Sequence, residues 1–203
     1  VSIIGTRLFT DYGRAACEEL IETLKQYSVT VVSGLAFGID AIAHKNCVKQ
    51  QLPTIGVVAH GLHTIYPTAH QALAAEMMEN GGILTEYFSG TKPDKGNFPM
   101  RNRIVAGLSD ATIIIETDKK GGSMITADLA HSYNRELFCL PGRTTDAKSS
   151  GCNLLIKVLK AQMFTNGEDI VKSLGWSSTK KKKQVQKKLF FDLTEHEAQI
   201  LHC

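Results

Sequence analysis

Residues 111–127 read ATIIIETDKKGGSMITA, and the order of residue types in this stretch decides the fold. The run ATIII is short, β-branched and apolar without alternation, the pattern of a strand buried on both faces. A turn of charge and glycine, DKKGG, follows it. The next segment, SMITADLAHSYN, carries apolar residues at three- and four-residue spacings, the period of a helix lying on a sheet. Strand, glycine turn and helix form the unit of a parallel sheet, because parallel neighbours need a crossover that returns the chain to the same end.

Working outward, the same unit recurs. Strands are expected at Ser2–Ile4, Thr30–Ser33, Thr54–Ala59, Ile83–Thr85, Ala111–Glu116 and Leu137–Leu140. Between them YGRAACEELIETLKQY, GIDAIAHKNCVKQQ, PTAHQALAAEMMENG and RNRIVAGLS repeat the helical spacing. The alternation predicts a Rossmann-like α/β domain with a mostly parallel sheet and helices on both faces. Near Trp176 the pattern gives way to SSTKKKKQVQKK, so the domain is expected to span 1–176 and a basic, solvated linker 177–188. Residues 189–203, LFFDLTEHEAQILHC, read as the opening of a truncated helical module, with Thr194 as N-cap and Glu197 completing a capping box.

Composition narrows the class. Of 203 residues, 43% are hydrophobic and 21% charged, which suits a soluble globular protein, and no apolar run approaches a membrane span. Val1 opens directly into the strand-like VSIIG, which predicts an excised fragment without a secretory leader. Five cysteines without a C-x-x-C pair argue against a disulfide framework or a structural zinc site and point to the reducing cytoplasm. The net charge of +3 hides an asymmetry: Lys180–Lys183, Lys187 and Lys188 carry six positive charges, which leaves the remainder at −3. Any anion site in the folded part is therefore a local pocket, not a basic hemisphere.

Ligands of open parallel sheets sit beyond the carboxyl ends of the strands. Three turns at such ends are rich in glycine or hydroxyls: Gly5–Thr6–Arg7, the stretch Ser33, Gly34 and Gly38 before Asp40, and Gly121–Gly122–Ser123. Glycine admits close approach, and the N–H groups of the following helix favour an anion, although each turn taken alone also reads as a tight connection. No G-x-G-x-x-G and no G-x-x-x-x-G-K-[ST] occurs, so neither dinucleotide binding nor P-loop hydrolysis is expected and no cofactor is called for. A phosphate cradle remains.

The stretch FPMRNRIVAGLS, residues 98–109, bears on the cradle. Pro99 suits a helix entry, which would let Arg101 and Arg103 project from the first turn of a helix running inward through Ile104, Val105 and Leu108. Two cations there oppose the helix dipole unless an external anion relieves them. The competing reading pairs them with Glu86 or Glu116 as structural ion pairs.

Taken together, GTR (Gly5–Arg7), SGLAFGID (Ser33–Asp40), IYP (Ile65–Pro67), FPMRNRIVAGLS, GGSMITA (Gly121–Ala127), PG (Pro141–Gly142) and GCNLLI (Gly151–Ile156) resemble the DNA-processing protein A family (DprA, also called Smf) of natural transformation. The resemblance implies an extended Rossmann-like domain that binds single-stranded DNA without catalysis, acts as a homodimer and helps load the RecA recombinase. It also implies a winged-helix-like domain beginning at residues 189–203. On this implication Arg7, Arg101 and Arg103, with the amides of Gly34, Gly38, Gly122 and Ser123, hold successive phosphates. Gly5, Thr6, Ser33 and Asn102 belong to the same turns, and Lys119, Lys120 and Arg143 stand at the rim. Phe37 and Phe98 are the expected base platforms, each adding about 1 to 3 kcal/mol per stacked base. Where the family has Ser-Gly-Ser this chain has Gly121-Gly122-Ser123, and the family's Gly-Ala pair after the Asn-x-Leu-Ile segment is Leu159-Lys160.

Other constellations are weaker. His60, His63 and His70 lack an acidic or cysteine partner at helical spacing, so a metal site is not expected. Ser33, Asp40 and His44 suggest a hydrolase triad, but Ser33 is not in G-x-S-x-G. The alternative function is an enzyme resembling nucleoside-monophosphate phosphoribohydrolases. Their PGG-x-GT motif with a following glutamate is not matched, since the helix after Gly122 offers only Asp128.

Overall fold

A computed structural model describes residues 1–177. Seven strands, β1 (Ser2–Gly5), β2 (Val31–Ser33), β3 (Thr54–Val57), β4 (Gly81–Leu84), β5 (Ala111–Ile115), β6 (Glu136–Cys139) and β7 (Gln162–Met163), form one parallel sheet in the order β4-β3-β2-β1-β5-β6-β7. The helices are α1 (Asp11–Leu24), α2 (Ile39–Gln50), α3 (Gln71–Met77), α4 (Asn97–Gly107), α5 (Gly122–Ser132), α6 (Ser150–Lys157) and α7 (Gly167–Ser173). The predicted Rossmann-like α/β class is the observed one.

Strand alternation explains the two-sided cover, because successive side chains point to opposite faces. Ile3, Ile113, Ile115 and Phe138 pack with α1, α2 and α7, whereas Ile4, Val32, Ile114 and Cys139 pack with α4, α5 and α6. A smaller cluster joins Leu35 and Val58 to α3. The register of β1 on β5 runs from Ser2 opposite Thr112 to Gly5 opposite Ile115. It places two hydroxyls in the core, and Ser2 Oγ donates to Thr112 Oγ1 at 2.7 Å so that neither is orphaned.

Expected elements shift in instructive ways. The helix expected to start near Arg101 begins four residues earlier, at Asn97, which moves Pro99 into its first turn. Proline costs nothing there because the first N–H groups of a helix have no partner within it. The segment 67–81 yields a 3₁₀ turn at Thr68–His70 before the short α3, and β4 starts at Gly81, two residues before the expected Ile83. β7, α6 and α7 were not predicted. They contain two, eight and seven residues, too few for a period to show. Trp176, at the expected domain boundary, packs on the first core and donates its backbone N–H to Val171 O at 3.0 Å. The capping box at Thr194, the lysine tract and the expected second module lie outside the described residues. Among the described residues no helix is long and apolar enough to cross a membrane.

Candidate nucleic-acid interface

The strand order fixes where a ligand can enter. From β1 the chain builds outward through β2, β3 and β4, then crosses back to β5 and builds the other way, so the switch point lies between β1 and β5. At the carboxyl ends of these strands the crossovers diverge to opposite faces and leave a crevice. A cleft of about 670 Å³ occupies it, and the turns after β1, β2 and β5 supply Gly5–Leu8, Gly34 and Gly121–Ser123 to its walls. Two other hollows, of about 500 and 570 Å³, lie at the amino ends of β1 and β2 and along the β6–β7 edge. Both are smaller, and neither brings these glycine turns together.

The three turns brace one another. Gly38 has φ of +85°, and a Cβ there would be driven into the Thr6 carbonyl and the Arg7 backbone. That close approach lets Ile39 N donate to Thr6 O at 3.2 Å. On the other side Thr6 N donates to Glu116 O at 2.7 Å, and Glu116 holds φ of +58° as the chain leaves β5. Such a backbone is uncommon outside glycine and is retained where the surroundings fix it. Here the Glu116 carboxylate accepts from Thr10 N at 2.8 Å and from Thr10 Oγ1, at the start of α1. Arg7 therefore stands exposed on a turn gripped from two strands. Across the cleft α5 starts at Gly122 with no side-chain cap, and a Cβ at Gly122 would meet nothing within 4 Å. That helix end is open to an anion.

Arg101 forms part of the floor. It is 5% exposed; its Nη1 donates to Gly34 O at 2.7 Å and to Val57 O, and its Nε to Asn102 Oδ1 at 3.2 Å. Asp40 lies beside it, accepting from Gly34 N at 3.1 Å. A Cβ on Gly34 would sit 2.7 Å from the Asp40 carboxylate and 2.8 Å from Arg101 Nη2, so glycine is what lets both side chains close on that turn. Burial pushes the Asp40 carboxyl up, while Arg101, the Ala36 and Gly34 amides and Ser33 pull it down. Burial also lowers the Arg101 guanidinium, and Asp40 opposes that shift.

The expectation that Arg101 and Arg103 project together from a first helical turn is corrected here. Arg101 lies in the second turn and points down, whereas Arg103 is exposed and ion-pairs with Glu86, the competing reading of that residue. Leu108, expected to run inward, is 53% exposed.

Of the other predicted residues, Gly5, Thr6, Arg7, Gly34, Phe98, Asn102, Gly122 and Ser123 line the cleft with Arg101. Ser33, Phe37, Gly38, Arg103, Lys119 and Lys120 do not. Ser33 is buried and donates to Ile3 O at 2.6 Å, and Phe37 meets His70 edge-on with centroids 4.8 Å apart. Lys119 and Lys120 are exposed on the turn that flanks the cleft, and Arg143 is exposed beyond β6. Among the lining residues that sequence reasoning missed are Lys95, Tyr66 and the acid Asp118. Tyr66 pairs with Phe98 at 5.9 Å between ring centroids, tilted by 44°. Its signal was the IYP segment; Lys95 had none beyond lying three residues before Phe98. The hydrolase triad does not form: Ser33 is committed to Ile3 O, and His44 Nδ1 lies 2.7 Å from Thr54 Oγ1. His60 and His70 are used on backbone groups, and no group that could hold a metal ion occurs among the described residues.

The chemistry assembled here is an exposed arginine, a lysine, a free helix N-terminus and two adjoining aromatic rings, with Asp118 on the wall and Asp40 and Arg101 in the floor. The sequence pattern of the DNA recombination-mediator protein A family matches residues 1–175. Protein Smf of Synechocystis is 41% identical over 175 residues, 86% of this chain and 44% of that protein. The DNA processing protein DprA of Bacillus subtilis is 39% identical over 174 residues, 86% of this chain and 58% of its own length. The chain thus spans about half the length of these relatives. A structure of DNA processing protein A from Helicobacter pylori, solved for its single-stranded DNA binding mode, superimposes with a TM-score of 0.78 at 38% identity, covering 85% of this chain and 78% of that one.

Proposed function

The chain belongs to the DNA recombination-mediator protein A family, and we propose that its switch-point cleft holds the backbone of single-stranded DNA during DNA processing in natural transformation. The observation that carries this reading is the convergence of Arg7, Lys95, the α5 N-terminus and the Tyr66–Phe98 pair on one cleft. Arg7 and Lys95 meet phosphates, the Gly122 and Ser123 amides take another, and the two rings stack against unpaired bases. The floor is tuned to this task. Asp40 and Arg101 are both committed to the Gly34 backbone below the surface, and the exposed cations are left to the ligand.

The wider assignment follows the family. We extend the proposal, on the family resemblance, to a homodimer that passes its strand to the RecA recombinase; the family's description as a recombination mediator supports a role in recombination. It acts without catalysis. Asp128, the acid on the helix after Gly122, has a 62% exposed side chain 3.1 Å from Lys160 Nζ and does not line the cleft. A phosphoribohydrolase-like enzyme would need a free acid on that helix facing the sugar; the two acids that do line the cleft lie elsewhere, Asp40 buried on Gly34 N and Asp118 accepting from Lys120 N at 3.0 Å. Incubation with nucleoside monophosphates should therefore release no free base, and turnover that copurified with the protein would reinstate that alternative.

An oligo(dT) titration tests the binding site. Arg7→Ala should weaken binding by about tenfold or more, some 1.4 kcal/mol, and Lys95→Ala by a smaller factor. Unchanged affinity in both folded variants would remove the cleft from the interface.

A further inference from the structure

The loop that carries Tyr66 is bonded to a second loop whose aromatic residue the site as described leaves unused. Phe88 follows β4 and is 89% exposed, with Leu62 beside the same loop at 57%. Burying neither ring nor stem, it adds nothing to the core. Yet its loop is tightly held. Gly61 N donates to Thr91 O at 2.9 Å, Thr91 N to Phe88 O at 3.1 Å, and Gly90 N to His63 Nδ1 at 3.0 Å. Thr85 Oγ1 donates to His60 O at 2.7 Å, and the His60 ring accepts from Tyr66 N at 3.1 Å. Tyr87 Oη donates to Asn97 O at 3.3 Å, next to Phe98. Phe88, Tyr66 and Phe98 therefore belong to one hydrogen-bonded frame.

The charges along this frame favour an anion. Glu86 is paired with Arg103, and the exposed Lys92 and Lys95 outnumber the one remaining acid, Asp94, which accepts from Gly96 N at 2.8 Å, so the local balance stays positive. A protein-docking face is expected to be a continuous apolar patch. Here the exposed Phe88 shares its loop with the exposed Lys92, and the Tyr66–Phe98 pair lines the cleft with Lys95, a mixture of rings and cations that suits a polymer of bases and phosphates.

We propose that Phe88 is a second base platform, on which a base of the single strand leaving the cleft stacks, so that the footprint extends toward the β4 edge. This rests on the reading of the cleft as a single-stranded DNA site, and the experiment separates the two. Affinities are measured for oligo(dT) from about 4 to about 20 nucleotides, with the unsubstituted protein, Phe88→Ala, Phe88→Trp and Arg7→Ala. Phe88→Ala should match the unsubstituted protein on the shortest oligomers and bind the longer ones about fivefold more weakly. Phe88→Trp should restore the long-oligomer affinity. Its added emission, over that of the chain's single Trp176, should be quenched only by the longer strands. Arg7→Ala should lose affinity at every length. Equal affinity of Phe88→Ala at all lengths overturns the platform while leaving the cleft intact, even if the variant alters self-association or recruitment of another protein. A uniform loss that includes the shortest oligomers assigns Phe88 to the cleft itself and equally overturns the proposal. Failure of the unsubstituted protein to bind any oligomer overturns both readings.

Discussion

At the scale of single residues, Arg101 and Arg103 show how much two positions of one type can differ. Residues two apart on a helix stand about 200° around its axis and cannot face one ligand. That geometry was available from the sequence; the choice of which arginine turns inward was not, because it depends on carbonyls at Gly34 and Val57 and a carboxylate at Asp40, contributed by the β2 and β3 ends and α2. The cost of removing Arg101 follows from its surroundings. Arg101→Ala strips the buried Gly34 and Val57 carbonyls of their donor and Asp40 of the cation near it, and should lose about 1 to 3 kcal/mol of unfolding free energy in a urea titration. Asp40→Asn added to that variant should recover part of the loss. A single variant as stable as the unsubstituted protein would show that the pair does not hold the floor. Arg103→Ala removes only an exposed pair and should cost less than about 1 kcal/mol.

At the scale of elements, the pairing of α2 with β3 stores a pH response. His44 is fully buried, with Nδ1 beside Thr54 Oγ1 and Nε2 without a hydrogen-bond partner. Burial, with smaller contributions from His70 and Arg101, lowers its pKa from 6.5 to about 3. Between those values the unfolded chain binds a proton that the folded one refuses, so stability falls as pH drops from 6.5 toward 3. The slope from this residue approaches about 1.4 kcal/mol per pH unit. Urea unfolding at a series of pH values should show His44→Gln with a flatter acid limb than the unsubstituted protein; identical limbs would refute the assignment. The elements themselves were legible to different degrees. Strands such as ATIII announced themselves because burial on both faces leaves only apolar residues. α6 and α7 escaped because eight and seven residues span about two turns, and their signals are local caps, such as the box between Asn166 and Asp169. The start of α4 was misread because Pro99 marks a first turn, not a first residue.

At the scale of the whole molecule, the parallel order with its reversal between β1 and β5 makes a binding crevice unavoidable, and the glycine turns decide that it suits an anion. The glycines and Arg7 were readable in the sequence because turn chemistry is local. Lys95 and Tyr66 were not singled out, because their place on the cleft depends on how separate loops pack: Asn97 Nδ2, for instance, donates to Ala59 O at 3.2 Å and anchors the start of α4 to the segment after β3. The most direct test of the central claim is a salt titration of oligonucleotide affinity, single-stranded beside double-stranded, on the unsubstituted chain and Arg7→Ala. The account predicts preferential binding of the single strand, a steep fall with salt of about 0.7 in log–log slope for each phosphate neutralised, and a shallower slope for Arg7→Ala. A flat titration, or equal affinity for the duplex, would contradict it.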